Sequence, residues 1–129
     1  MPKNKAKKIA KILLVEDYEF LACMYRSKLE IENYEVFIAG NGEAGLRLAE
    51  EKEPNLILLD IVLPKINGFE VLKELKANKN LKKIPVILLT NLGQKEDVEK
   101  GLKLGAEEYL IKAHFLPSEV IEKIKKILN

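Results

Sequence analysis

Five polar residues stand at the C-terminal ends of four apolar runs: Glu16 and Asp17 after Ile12-Leu13-Leu14-Val15, Asp60 after Leu56-Ile57-Leu58-Leu59, Thr90 after Val86-Ile87-Leu88-Leu89, and Lys112 after Tyr109-Leu110-Ile111. Gathered in one place, three carboxylates, a hydroxyl and an ammonium could do only a narrow range of chemistry. Carboxylates about 5 Å apart repel by roughly 3 kcal/mol per pair at an effective dielectric of about 20. Without a countercharge at least one of them would take up a proton. A hard divalent cation removes that conflict. Few protein oxygens with room for water favour Mg2+, and Mn2+ would also fit. A metal-bound carboxylate beside a lysine and a threonine suits phosphoryl transfer, which depends on positioning and charge stabilisation. In that reading Asp60 is the nucleophile and forms an aspartyl phosphate. Lys112 and the cation neutralise charge on the phosphoryl oxygens, and the Thr90 hydroxyl could donate to one of them.

A parallel sheet would gather these residues. Short, continuous, β-branched-rich apolar runs read as strands buried on both faces. Such strands all point one way, so their C-terminal ends share the edge at which open α/β sheets bind ligands. The periodicity then alternates along the chain. A strand over about 10–15 leads to a helix from Tyr18 to about Ile31, with Leu21, Met24, Tyr25 and Leu29 on its apolar stripe. Tyr34–Ala39 is a more mixed, edge-like strand, followed by a helix over Gly42–Lys52 that buries Ala44, Leu48 and Ala49. Pro54 marks the break before a strand over Asn55–Asp60. A loop with Pro64 and Asn67-Gly68 precedes a helix over Phe69–Asn78, burying Phe69, Leu72 and Leu75. Pro85 opens the fourth strand, and a helix over Gln94–Leu104 has the weakest stripe, Val98 and Leu102. Glu107–Ile111 is the fifth strand, and Pro117 suits the first turn of a last helix that buries Val120, Ile121, Ile124 and Leu128. Right-handed crossovers turn these five units into a doubly wound, three-layer α/β/α sandwich on a five-stranded parallel sheet. The most apolar strands, the first, third and fourth, belong in its middle. The flavodoxin-like order 2-1-3-4-5 puts them there, with its switch point beneath Asp17 and Asp60.

The 129 residues suffice for one domain with one core, expected over 10–129 behind a basic tail over 1–9. The local excess of positive charge lies in Lys3, Lys5, Lys7 and Lys8 of the tail and in Lys11 just beyond it. The tail lacks aromatic interleaving and an amphipathic face, so it reads as a solvated segment. A net charge of +2 gives no argument for a nucleic-acid partner. No apolar run approaches the ~20 residues of a membrane span, and no secretory signal is recognisable. The expectation is a cytoplasmic protein with neither a nucleic-acid nor a membrane partner. Cys23 is the only cysteine, which excludes an intrachain disulfide, and its place in a helical pattern reads as a small buried hydrophobe.

Taken singly, each polar residue has a plainer reading. Asp17 could cap the helix that follows it. Glu16 could be a solvated loop charge, Thr90 could close a local turn, and Lys112 is one of 20 lysines. Asp60 resists such a reading, because no helix begins near it and Pro64 follows. The argument for a site is that all five stand at matching strand ends.

These residues, in this order, resemble the receiver domain of two-component response regulators, over essentially the whole span from Ile12 to Leu128. The motifs are Leu14-Val15-Glu16-Asp17; Leu59-Asp60-Ile61-Val62-Leu63-Pro64 with Asn67-Gly68-Phe69-Glu70; Leu89-Thr90; Gly105-Ala106; and Tyr109-Leu110-Ile111-Lys112. Chemotaxis members of that family already exemplify the strand order given above. The resemblance implies that Asp60 accepts phosphate from a histidine kinase or a histidine phosphotransfer protein. It implies that Asp17, Asp60 and the Val62 carbonyl ligate the metal directly, with Glu16 acting mainly through water. Tyr109 falls at the family's switch aromatic. Thr90 would move toward the phosphoryl group and the ring would fill the vacated space, altering the face made by the fourth helix, fifth strand and fifth helix. Tyr109 could instead be a static packing residue. No enzyme activity is implied beyond self-phosphorylation from small phosphodonors and slow autodephosphorylation. A chain whose last helix ends at Asn129 is expected to act as a stand-alone module. It would signal to a downstream protein target or relay phosphate, as a monomer or as a homodimer formed on activation.

The sequence departs from the family pattern at several places. The family usually has a cis proline after the lysine, whereas this chain has Ala113, which predicts a trans bond and a rearranged loop over Ala113-His114-Phe115. His114 reads as an exposed loop residue. Asn91 replaces the usual small residue after the threonine and could crowd the phosphoryl entrance. Val62 and Leu92 stand where the family tunes hydrolysis, and neither can orient an attacking water. Asn91 and the missing proline motivate one alternative from another class, an interaction module that is never phosphorylated.

Overall fold

The computed structural model describes residues 8–129. Lys3, Lys5 and Lys7 of the basic tail lie outside the described residues. The elements run β1 (Ala10–Val15), α1 (Glu19–Ile31), β2 (Tyr34–Ala39), α2 (Gly42–Lys52), β3 (Leu56–Leu59), α3 (Gly68–Ala77), β4 (Val86–Thr90), α4 (Lys95–Lys103), β5 (Glu108–Ile111) and α5 (Pro117–Leu128). The strands form one parallel sheet in the order β2-β1-β3-β4-β5. This is the flavodoxin-like topology that the apolar ranking of the strands predicts.

Alternation along the central strands divides the core in two. Ile12, Leu14, Leu56, Leu58, Ile87 and Leu89 face α1 and α5, meeting Tyr25, Leu29, Val120, Ile121 and Ile124. Leu13, Val15, Ile57, Leu59, Val86 and Leu88 face the opposite layer, where Ala49 of α2 and Phe69, Leu72 and Leu75 of α3 cover them. Every residue of β3 and β4 is buried, as a strand covered on both faces requires.

Some expected core positions prove partly or fully exposed. In α1 the buried stripe is Ala22, Tyr25 and Leu29, with Leu21 and Met24 half-buried at its flank. Cys23 is exposed rather than buried, because it lies about 100° round the helix from Ala22. In α2, Ala44 and Leu48 are half-buried, while Gly42, Gly45 and Ala49 are buried. Leu128 of α5 is half-buried. The larger difference is α4, where Leu102 is 48% exposed and Gly101 is the buried residue. A Cβ on Gly101 would come within 2.6 Å of Leu88 Cδ1 and 2.8 Å of Tyr109 Cδ2. The helix therefore meets the sheet with its backbone, and the leucine beside that contact stays outside.

Candidate phosphoryl-transfer site

Strand register builds the site. Val15 pairs with Leu59, so Glu16 and Asp60 leave adjacent strands side by side. The ladder continues to that point: the Glu16 N–H donates to the Ala39 carbonyl at 2.9 Å and the Asp60 N–H to the Val15 carbonyl at 3.0 Å. Thr90 pairs with Ile111, which delivers Lys112 one residue further on.

Among the described residues, Glu16, Asp60 and Thr90 are the buried polar ones, and all three stand at this edge. Carboxylate oxygens of Glu16, Asp17 and Asp60 lie within 4.8 Å of one another. The Lys112 ammonium donates to Glu16 Oε1 at 2.8 Å and to Asp60 Oδ2 at 2.9 Å. Glu16 Oε2 accepts the Tyr18 N–H at 3.0 Å. Asp60 Oδ1 accepts the N–H groups of Ile61 at 2.6 Å and Val62 at 3.2 Å. Both carboxylates buried here thus have donors on both oxygens, as burial of a charge demands.

The local readings of Glu16 and Asp17 do not describe this geometry. The N-cap of α1 is Tyr18, with no side-chain cap bond, so Asp17 does not cap the helix. Glu16 is 4% exposed and paired with a lysine, not solvated. Thr90 does make the local turn bond, its Oγ1 accepting the Leu92 N–H at 3.4 Å. Val62 is 57% exposed, and Asn91 is exposed and lines a cavity together with Lys112. The Lys112–Ala113 bond is trans, and Lys112–His114 forms one turn of 3-10 helix with His114 exposed.

Electrostatically the cluster is short of positive charge. Burial pushes Glu16 above its ordinary value of 4.5, although hydrogen bonds from Lys112 and the Tyr18 N–H pull the other way. Burial also disfavours the charged form of Lys112. Its hydrogen bonds to Glu16 and Asp60, with the two negative charges, outweigh that and lift Lys112 above 10.5. Both shifts retain protons. Three carboxylates against one ammonium leave two negative charges on an all-oxygen donor set, which fits a hard divalent cation.

Two contributors carry no clear signal in the sequence. The Tyr109 hydroxyl donates to the Leu92 carbonyl at 2.6 Å, while the Leu92 N–H holds Thr90. One peptide segment therefore links the two expected switch residues. Burial, with the charges of Asp97 and Asp60, pushes Tyr109 up to about 12. Gly68 is the second contributor. Its N–H donates to the Ile61 carbonyl at 2.8 Å, and a Cβ there would collide with the Asp60 carbonyl and lie 2.6 Å from Ile61 Cα. The Asn-Gly pair reads as a turn in the sequence, and nothing in it reveals this close approach.

The sequence profile of the response regulator receiver domain matches residues 12–125. The chain belongs to this family. It is 41% identical over 119 residues to the alkaline phosphatase synthesis transcriptional regulatory protein PhoP of Bacillus subtilis (strain 168), covering 92% of this chain and 48% of that one. It thus spans about half the length of the curated relatives it matches. Among solved structures, a CheY-like response regulator receiver domain protein from Methanospirillum hungatei JF-1 superposes with a TM-score of 0.86 at 32% identity, covering 95% of this chain and 94% of that one. The BeF3-activated N-terminal receiver domain of Klebsiella pneumoniae RstA superposes with a TM-score of 0.85 at 25% identity, covering 92% and 98%. Receiver domains are signalling modules of two-component systems that work with histidine kinases and downstream targets, and they are generally not classed as enzymes. They generally bind Mg2+ in an acidic pocket, and Glu16, Asp17 and Asp60 form an acidic cluster of that kind. Among the described residues, no helix is long and apolar enough to cross a membrane.

Proposed function

We propose that Asp60 accepts a phosphoryl group from the phosphohistidine of a histidine kinase or histidine phosphotransfer protein. The observation that carries this reading is the Lys112 ammonium shared between Glu16 and Asp60, with Asp17 close by and two negative charges unbalanced. Asp17, Asp60 and the Val62 carbonyl would hold Mg2+ or Mn2+, with Glu16 acting through water. A bound ion supplies neutralisation of the charge on the phosphoryl oxygens.

Asp60 attacks phosphorus as the P–N bond to the donor imidazole breaks. The imidazole nitrogen leaves with the bonding pair, and the phosphoryl group remains on an Asp60 oxygen. The Ile61 and Val62 N–H groups hold the carboxylate in place for this step. Lys112, already on Asp60 Oδ2, remains within reach of the incoming phosphoryl oxygens and offsets their charge. Thr90 donates its hydroxyl to one of those oxygens and leaves the Leu92 N–H. Leu92, released from Thr90, stays bonded to Tyr109, so the change reaches the α4–β5–α5 face, where a downstream protein reads it. Output is by protein–protein contact, as a monomer or an activation-dependent homodimer in the cytoplasm.

The test is incubation with Mg2+ and acetyl phosphate, followed by intact-mass measurement, with beryllofluoride as a stable mimic. The expected result is one Mg2+-dependent adduct that disappears in Asp60→Asn. No adduct, or one that survives Asp60→Asn, overturns the reading in favour of an interaction module that is never phosphorylated.

A further inference from the structure

The loop that follows Asp60 is seated on a residue that belongs to neither the sheet nor the site. Gly42, the first residue of α2, is buried beneath this loop. A Cβ on Gly42 would lie 2.6 Å from Ile66 Cγ1, 2.7 Å from the Ile66 carbonyl oxygen and 2.8 Å from Val71 Cγ2, all inside the 3.0 Å that real Cβ contacts essentially never breach. Ile66 lies in the β3–α3 loop, and Val71 is a 1% exposed residue of α3. A side chain at position 42 would therefore have to displace a loop backbone and a packed helix. The first helical position makes no special demand on φ, so what Gly42 provides is room. The same loop holds Lys65 at a φ of +73°, a conformation that a lysine keeps only where its surroundings enforce it. The loop's other end is fixed by the close approach of Gly68 to Asp60 and Ile61.

We propose that Gly42 is a positioning residue for the phosphoacceptor: by lacking a side chain it lets the β3–α3 loop seat on α2, which fixes Val62 and the main chain after Asp60 relative to the carboxylate cluster. The proposal rests on the reading of Asp60 as a phosphoacceptor with a divalent ion beside it. Groups that orient metal ligands from behind commonly change affinity by about tenfold or more when altered. A backbone shift at Ile66 acts in that way.

The experiment compares wild type, Gly42→Ala and Gly40→Ala. The last makes the same chemical change two residues away, where a Cβ would meet nothing within 4 Å. Mn2+ affinity is measured by calorimetry, well below the thermal midpoint of each protein. The Mg2+ concentration giving half-maximal phosphorylation by acetyl phosphate is measured alongside. Gly42→Ala should weaken Mn2+ about tenfold and raise the Mg2+ requirement by a similar factor, with Gly40→Ala at wild-type values on both. Ile66→Ala removes the loop's seat without adding an atom and should weaken Mn2+ in the same direction. It decides the matter should Gly42→Ala not fold. A Gly42→Ala protein that melts earlier but binds Mn2+ like Gly40→Ala overturns the proposal, as does wild-type affinity in Ile66→Ala. Wild type that binds no Mn2+ instead overturns the reading of the cluster itself, and the proposal with it.

Discussion

Replacing Lys112 by methionine removes the one ammonium that, among the described residues, is bonded to the carboxylate cluster, while keeping a similar apolar stem. Glu16 and Asp60 are 4% and 5% exposed, so water cannot fully take its place. At the observed separation of up to 4.8 Å, each carboxylate pair repels by about 3.5 kcal/mol at an effective dielectric of about 20. Protonation sets a ceiling on this. An ordinary carboxylate of pKa 4.5 takes up a proton at pH 7 at a cost of about 3.4 kcal/mol. The metal-free variant should therefore lose about 3 kcal/mol at pH 7, in line with removal of one partner from a buried ion pair. For a chain of this size that is roughly 10 °C in thermal midpoint. The loss depends on pH in a definite sense. Without Lys112 the folded pKa of Glu16 rises further above its unfolded value, so the folded chain keeps a proton that the unfolded chain releases. The deficit is small at pH 4.5 and opens as pH rises toward 7. Mg2+ should shrink it at pH 7 by supplying the missing charge. Circular-dichroism melts of both proteins, at the two pH values, with EDTA or Mg2+, make the measurement. An equal loss in all conditions would mean that Lys112 acts through packing, and the electrostatic reasoning would be wrong.

Two other consequences are measurable. Val62 and Leu92 hold the positions at which the family tunes hydrolysis, and neither can orient water, so Val62→Asn, which introduces a group able to do so, should speed phosphate loss severalfold; an unchanged rate removes this account of phosphate lifetime. Burial raises both Tyr25 and Tyr109 from 10 to about 12. Between those values the unfolded chain loses its tyrosine protons first, so stability should fall as pH rises from 10 toward 12. Tyr109→Phe should reduce that fall in urea titrations and remove part of the high-pH tyrosinate signal. A pH dependence identical to wild type would show that Tyr109 titrates as in the unfolded chain.

The sheet and the gathering of its polar ends were legible because hydrophobic runs carry them. Leu56–Leu59 and Val86–Leu89 can be little else than doubly covered strands, and the residue after each run then has only one edge to occupy. Strands β1 and β2 and helix α2 fall on their expected boundaries, α5 begins at the expected Pro117, and the others shift by about one residue at one or both ends, the usual ambiguity where a ladder or helical turn frays. What was not legible depends on the backbone. Leu102 looked like the anchor of α4, but Gly101 allowed the helix to dock by its main chain. The Thr90–Leu92–Tyr109 link uses the N–H and C=O of Leu92, groups that any residue there would own. In the sequence Gly42 reads as an ordinary helix-start glycine and Gly68 as part of a turn, and only the packed loop shows that each stands where a Cβ has no space.

Those hidden backbone contacts explain how a charge change at Asp60 could be felt elsewhere. The acidic cluster is rigidly tied to the sheet, with donors on every oxygen of Glu16 and Asp60. Rigid elements do not carry a signal; something weakly held must yield. The weakest bond at this edge is the one from the Leu92 N–H to Thr90 Oγ1, at 3.4 Å, whereas Tyr109 holds the Leu92 carbonyl at 2.6 Å. If Thr90 moves to donate its hydroxyl to a phosphoryl oxygen, the long bond would break first and the short one would remain. Leu92 would then move with Tyr109 rather than with Thr90, and the ring lies directly against Gly101 of α4. The same glycine that lets α4 dock without a leucine anchor leaves that helix with few apolar contacts to resist the change.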